Sequence, residues 1–241
     1  MAMVPYRVSG AGADQRADER LLLLPGGVQL RLRQVAAPLP LSGGAAGRPS
    51  GTAAPAGAVG PPLERLADVG LVVWQAGWVL AEYLLRVAPF CGRGGGPGWR
   101  SVTAVDLGTG TGLVGIALAA AGARVVLTDL PHVLPLAAAN LAANCDPRVT
   151  RAALCAYRWG DDPAAGCTAA GEPGCTAAGG TAAAAVSFSP LVGLELDLIT
   201  AGDVLYHPEL AAPLMRAVQV LSAPHTVTYV SYKVRAGGEA A

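Results

Sequence analysis

Lysine is nearly missing from this chain: of 17 basic residues only Lys233 is a lysine, and the rest are arginines. The bases are matched by 17 acids, so the formal net charge is zero. No global field therefore draws the chain to nucleic acid or to an anionic membrane. Aromatic residues make up 5% of the chain and there are 5 cysteines, Cys91, Cys145, Cys155, Cys167 and Cys175. The cysteines show neither C-x-x-C spacing nor a neighbouring histidine pair, so no zinc site or other metal centre is indicated. An odd, scattered set fits free thiols in a reducing compartment, and the expected location is the cytosol. Long apolar runs are lacking too. The most apolar stretch, 69–85, is interrupted by Gln75 and Glu82 and is too short and too polar to span a bilayer. Residues 21–24 form only a four-residue run, so no secretory signal is visible. The excess of Ala, Gly, Pro and Arg looks like coding bias and carries no functional reading. A chain of 241 residues can build one sizeable domain.

What the chain does have is a strand, a glycine turn, a helix and a second strand within VTAVDLGTGTGLVGIALAAAGARVVLTD. Residues 102–107 are a short apolar run with an acid at its end, and GTGTG at 108–112 breaks it. Residues 113–121 read as an Ala/Leu helix stopped by Gly122, and 124–128 are a second apolar run closed by Asp129. Buried parallel strands appear as continuous apolar runs joined by a crossover helix. Glycines let the backbone turn tightly and let a ligand approach it closely. An acid at the end of the second strand, about 20 residues on, is placed to take the two hydroxyls of a ribose. The unit reads as a nucleoside-binding βαβ.

A dinucleotide fingerprint needs a third small residue for close helix packing. Gly108 and Gly110 fit it, but that third position falls on Leu113 and the extra glycine is Gly112. The pattern is D-x-G-x-G-x-G, which suits a ligand with no pyrophosphate, such as S-adenosylmethionine. A nicotinamide-dependent dehydrogenase is the least favoured reading, because no proton-transfer dyad accompanies the turn.

Around this unit, the alternation over 28–34 predicts a strand or half a hairpin, and 42–62 is Gly/Ala/Pro-rich and reads as a flexible loop. A helix is expected from about Val69, with Trp74, Trp78, Ala81 and Leu85 at helical spacing. Residues 91–98 read as a glycine linker. After Asp129, Pro131 suits the first turn of a helix that continues over 134–144. A third strand is expected at 150–156, followed by Tyr157-Arg158-Trp159-Gly160. Residues 161–185 are low-complexity, with GCTAAG twice, and read as a disordered insertion. A fourth strand at 194–200, a helix at 209–221 and a fifth strand at 226–233 complete the pattern. Ligands of open α/β sheets bind outside the carboxyl ends of the strands, where the glycine turn, Asp129, Trp159 and residues 203–206 all fall.

The succession VDLGTGTGLVGIALA, LTDLPHVLPLAAANLAAN, YRWG and LDLITAGDVLYHPEL resembles the seven-β-strand S-adenosylmethionine-dependent protein-lysine methyltransferases. VVWQAGWVLAEYL resembles their tryptophan-bearing helix, and the resemblance runs over about residues 69–235 apart from the insertion. It implies an α/β, Rossmann-like class I methyltransferase fold with a mostly parallel, doubly wound sheet. Residues 69–241 would be the methyltransferase domain and 1–68 an N-terminal extension. It implies that Gly108, Thr109 and Gly110 line the S-adenosylmethionine site and that Asp129 holds the ribose. Trp74, Trp159 and Gly202 would touch the cofactor as well. Asp203 and Tyr206, the D-x-x-Y pair, would orient the acceptor amine, with His207 a bystander. The implied partner is a protein substrate, such as a chaperone, an AAA ATPase or a translation factor. Nucleic acid and membrane are not implied.

Residue by residue, other readings stay open. Trp74 could be a core residue and Trp159 a strand-end anchor; Asp203 could cap the helix after Pro208 while Tyr206 packs. The family's sheet ends in a two-strand hairpin, whereas this chain stops soon after Arg235. That hairpin is therefore expected to be absent, leaving 226–233 as an exposed edge that a partner strand could cover. A methyltransferase for a non-lysine acceptor, or a non-catalytic binding paralogue, is the alternative function.

Overall fold

A computed structural model of the chain describes residues 17–35, 68–86, 98–163, 191 and 193–233. The expected loop at 42–62, the linker at 91–97 and the bulk of the 161–185 insertion lie outside the described residues. The elements are β1 (Glu19–Leu24), β2 (Val28–Arg33), α1 (Gln75–Arg86), β3 (Thr103–Leu107), α2 (Leu113–Ala120), β4 (Arg124–Asp129), α3 (Leu134–Asn144), β5 (Ala152–Ala156), β6 (Leu198–Gly202), α4 (Ala211–Leu221) and β7 (Val227–Ser231).

The continuous apolar runs become a five-stranded sheet in the order β5-β4-β3-β6-β7, with every neighbouring pair parallel. Crossover helices cover both faces, as right-handed parallel connections require. On one face α1, α2 and α3 pack with the strands over Leu80, Leu84, Ile116, Leu118 and Leu141. On the other, α4 supplies Leu214, Ala217 and Leu221 against Val105, Ile199 and Ala201. Residues 113–119 of α2 are all buried, which explains why that helix is apolar all round. The strand order reverses beside β3, with β4 on one side and β6 on the other. Such a switch point opens a crevice at the strand ends. The Rossmann-like architecture read from the sequence is the observed one.

β1 and β2 form a separate antiparallel hairpin with Arg20 opposite Leu32 and Leu22 opposite Leu30. Its inner face, Leu22, Leu24, Leu30 and Leu32, is part of the core against the first helical face, while Leu21 and Leu23 are exposed. The four-leucine run is thus one strand of a hairpin, a role that its lack of apolar–polar alternation concealed.

Several boundaries differ from expectation. The helix expected from Val69 begins at Gln75, after a 3-10 turn over Asp68–Leu71. Its buried face carries Gly77, Leu80, Ala81 and Leu84 rather than the Trp74-Trp78 stripe. Pro131 sits in a separate turn, closed by the Val133 amide on the Leu130 carbonyl at 3.0 Å, so α3 starts afresh with Pro135 in its first turn. β6 lies further along than 194–200 and takes in Gly202. The last helix is preceded by a 3-10 turn at Pro208–Leu210. Cys145 is a free thiol, but Cys155 in β5 is disulfide-bonded, contrary to the expectation of free thiols throughout. Among the described residues no helix is long and apolar enough to cross a membrane.

Candidate active site

The site grows from the glycine turn. β3 delivers Asp106 into the core with 1% exposure. Its Oδ2 accepts from the Thr109 hydroxyl at 2.6 Å and the Gly115 amide at 3.0 Å, and its Oδ1 accepts from the Thr200 hydroxyl at 2.7 Å. One carboxylate thus ties the turn to the start of α2 and to β6. Burial outweighs those hydrogen bonds and pushes the Asp106 carboxyl up to about 6.

Gly108 and Gly110 both have positive φ, 66° and 56°. A Cβ on Gly108 would meet Trp159 Cζ2 at 2.8 Å and Val204 at 2.9 Å, and one on Gly110 would meet the Gly70 carbonyl oxygen at 2.6 Å. The glycines therefore let three segments, those of Gly70, Trp159 and Val204, close directly on the turn.

Asp129 ends β4 beside this turn. Its Oδ2 accepts from the Gly110 amide at 2.8 Å and its Oδ1 from the Leu130 amide at 2.7 Å. A carboxylate offers about four lone-pair sites, so hydroxyl groups can still be received. Burial raises its carboxyl above the usual range, and the two amides and His132 pull it back. The neighbouring strand contributes through the Tyr157 amide, which donates to the Asp129 carbonyl at 3.0 Å and leads the chain to Trp159.

At the end of β6, Gly202 packs against α1, where an added Cβ would lie 3.1 Å from Gly77 Cα. Asp203 follows at φ 57°, the only non-glycine with positive φ among the described residues, and is 5% exposed. Its amide donates to the Ser231 carbonyl at 2.8 Å, and its Oδ1 accepts from the Lys233 amide at 3.4 Å. Asp203 thus occupies a conformation that costs energy outside glycine, Asn and Asp. The cap ahead of α4 is made by His207, whose Nδ1 accepts from the Glu209 amide at 3.4 Å, so capping does not explain Asp203. Burial first, and the Asp129 charge second, push the Tyr206 phenol above its usual value. Tyr206 is thereby held as a neutral hydroxyl.

These segments enclose a cavity of about 280 Å³. Every residue singled out from the sequence lines it: Trp74, Gly108, Thr109, Gly110, Asp129, Trp159, Gly202, Asp203 and Tyr206. His207 does not. Asp106, Gly70, Val72, Leu130, Arg158 and Glu209 also line it without having been singled out. Asp106 stood in the quoted motif and could have been named; Gly70 and Val72 carry no local signal. Among the described residues that line it, the acids Asp106, Asp129, Asp203 and Glu209 are set against one base, Arg158. Such a cavity favours a cation.

The model of a family described as lysine methyltransferase matches residues 63–170, the stretch from before α1 to just beyond Trp159. The chain is 30% identical over 172 residues to protein N-lysine methyltransferase METTL21A of Mus musculus, covering 71% of this chain and 64% of that protein. Over residues 63–170 the chain is similar to the lysine methyltransferase family. It is also 29% identical to EEF1A lysine methyltransferase 3 of Mus musculus, over 68% of this chain and 56% of the relative. With METTL21A of Danio rerio it shares 27% identity over 69% of this chain and 62% of the relative. The chain therefore spans less than two thirds of the length of these relatives. Similarity to that family implies a methyl donor. The geometry fits one, because the glycine turn offers an approach no Cβ obstructs and Asp129 has acceptor sites to spare.

Proposed function

We propose that the chain transfers a methyl group from S-adenosylmethionine to the side-chain amine of a lysine on a protein. The observation that carries this reading is the convergence of the glycine turn, Asp129, Trp159 and the Asp203–Tyr206 pair on one acid-lined cavity. The relatives' printed names, protein N-lysine methyltransferase and EEF1A lysine methyltransferase, support the acceptor. Residues 69–241 are assigned to the catalytic domain and 1–68 to an N-terminal extension.

When bound, the donor supplies an electrophilic methyl on a sulfonium centre. Gly108, Thr109 and Gly110 leave room for it along the backbone, and Asp129 receives ribose hydroxyls with its remaining lone pairs. Trp74 and Trp159 offer aromatic faces, which attract a cation and stack on a base. Methyl transfer is an in-line displacement, so the chain's task is to aim the amine lone pair. A free lysine titrates at about 10.4 and must give its ammonium proton to solvent before its lone pair can attack the methyl. The Tyr206 phenol stays protonated, so it orients the amine through its oxygen rather than acting as the base. The Asp203 carboxylate attracts the ammonium and fixes its direction.

Incubating the chain with isotopically labelled S-adenosylmethionine and cell lysate, followed by mass spectrometry, tests the reading. Label should appear on lysine Nζ and be lost with Asp203→Asn. Label confined to another side chain, or undiminished in that variant, would contradict it. One relative's printed name, EEF1A lysine methyltransferase 3, favours a lysine on a protein of the EEF1A kind as the acceptor.

A further inference from the structure

The β1–β2 hairpin touches nothing inside the cavity, yet it holds two of the cavity's walls. The first connection runs through α3. Four residues of helix rise about 6 Å, and two residues of strand span about 6.8 Å, so an i, i+4 pair on a helix can match an i, i+2 pair on a strand edge. Asn140 and Asn144 do this with Arg33 and Arg31. Asn144 Oδ1 accepts from the Arg31 amide at 2.7 Å and its Nδ2 donates to the Arg31 carbonyl at 2.9 Å. Asn140 Oδ1 accepts from the Arg33 amide at 2.8 Å and its Nδ2 donates to the Arg33 carbonyl at 2.9 Å. Asn140, with no exposed surface, also donates Nδ2 to the carbonyl of Thr111, inside the glycine turn, at 2.8 Å, whereas the third bond of Asn144 stays within α3, from Nδ2 to the Asn140 carbonyl at 2.7 Å.

The second connection runs to the segment before α1. Val35 donates to the Leu71 carbonyl at 2.9 Å. The Val73 amide donates to Gln34 Oε1 at 3.1 Å, and Arg20 Nη1 donates to the Val73 carbonyl at 3.2 Å. That segment places Gly70, Val72 and Trp74 on the cavity.

We propose that the hairpin is a clamp that sets donor affinity, with Asn140 and Gln34 as its positioning residues. The proposal rests on the reading of the cavity as the S-adenosylmethionine site. It goes beyond that reading by assigning part of the affinity to residues 19–35, which lie outside the matched stretch 63–170. Bound donor orders the turn and the 70–74 segment, and both pull on the hairpin, so binding and hairpin docking are linked.

The experiment titrates the full chain with S-adenosylhomocysteine by calorimetry and follows thermal unfolding in parallel. Asn144→Ala is the control, because it loses the same strand-edge pairing without the Thr111 contact. Asn140→Ala should weaken binding about tenfold more than Asn144→Ala, the scale a lost buried hydrogen bond supports. Both should lower the melting temperature. Equal affinities in the two variants would overturn the clamp. A folded wild type that binds no S-adenosylhomocysteine would overturn the cofactor reading and the clamp with it. If Asn140→Ala does not fold, hydrogen exchange on the wild type decides: S-adenosylhomocysteine should slow exchange at the Arg31 and Arg33 amides, and unchanged exchange would overturn the proposal.

Discussion

Gly108 and Trp159 stand so close that a Cβ on the glycine would lie 2.8 Å from the indole's Cζ2. With φ at 66° as well, Gly108→Ala meets both backbone strain and a clash. The strain alone costs about 1–3 kcal/mol. The expected outcome is a lower melting temperature and loss of S-adenosylhomocysteine binding, because the indole must leave its place on the turn. Wild-type affinity in this variant would show that Trp159 is not a wall of the donor site.

Asp203 gives a prediction in which backbone and chemistry separate. Asn tolerates the left-handed region at least as well as Asp, whereas Ala does not. Asp203→Asn should melt near the wild type, and Asp203→Ala should lose about 1 kcal/mol more. Both should lose methyl transfer by about 10²-fold or more, the scale that a misplaced acceptor costs. Donor affinity should remain. Kinetics and calorimetry on the two variants, side by side, check this.

Tyr206→Phe tests the role of a neutral phenol. The expected effect is a fall in kcat with little change in donor affinity and no loss of stability. A variant as active as the wild type would remove Tyr206 from the amine's surroundings and leave it as packing.

Asp106 makes stability depend on pH. Its folded pKa, about 6, lies above the ordinary 3.8, so between those values the folded state holds a proton that the unfolded chain releases. Its contribution is therefore fully present below about pH 4 and lost as pH rises through about 6. Asp129, also raised, acts in the same direction. In Asp106→Asn the amide can keep the Gly115 contact and donate to the Thr200 hydroxyl, which can turn to the Val105 carbonyl 3.4 Å away. Melting temperature measured from pH 4 to 7 should fall less steeply in the variant than in the wild type. Parallel curves would place the proton elsewhere.

How much of this was legible in the sequence follows from the range of the forces involved. Strand, turn and helix from 103 to 144 were readable because each element carries its own signal: apolar runs, glycines that break them, acids at strand ends. Each of Asp129, Trp159 and Asp203 falls at the carboxyl end of a strand, where ligands of open α/β sheets bind, so their meeting was readable too. The hairpin partner at 19–24 was not readable, because four successive leucines alternate between core and solvent without showing it in their side chains. Asn140 was unreadable for a related reason. A buried Asn in an Ala-rich helix declares only that something is hydrogen-bonded, and its partners are 29 and 107 residues away. Gly70 became a site residue solely because the Gly110 turn lacks a Cβ.

The most direct test of the central claim is calorimetric titration of the wild-type chain and Asp129→Ala with S-adenosylmethionine and S-adenosylhomocysteine. The account predicts micromolar binding of both by the wild type, and its loss in a variant that still folds. A folded wild type that binds neither, or a variant that binds as well as the wild type, would contradict it.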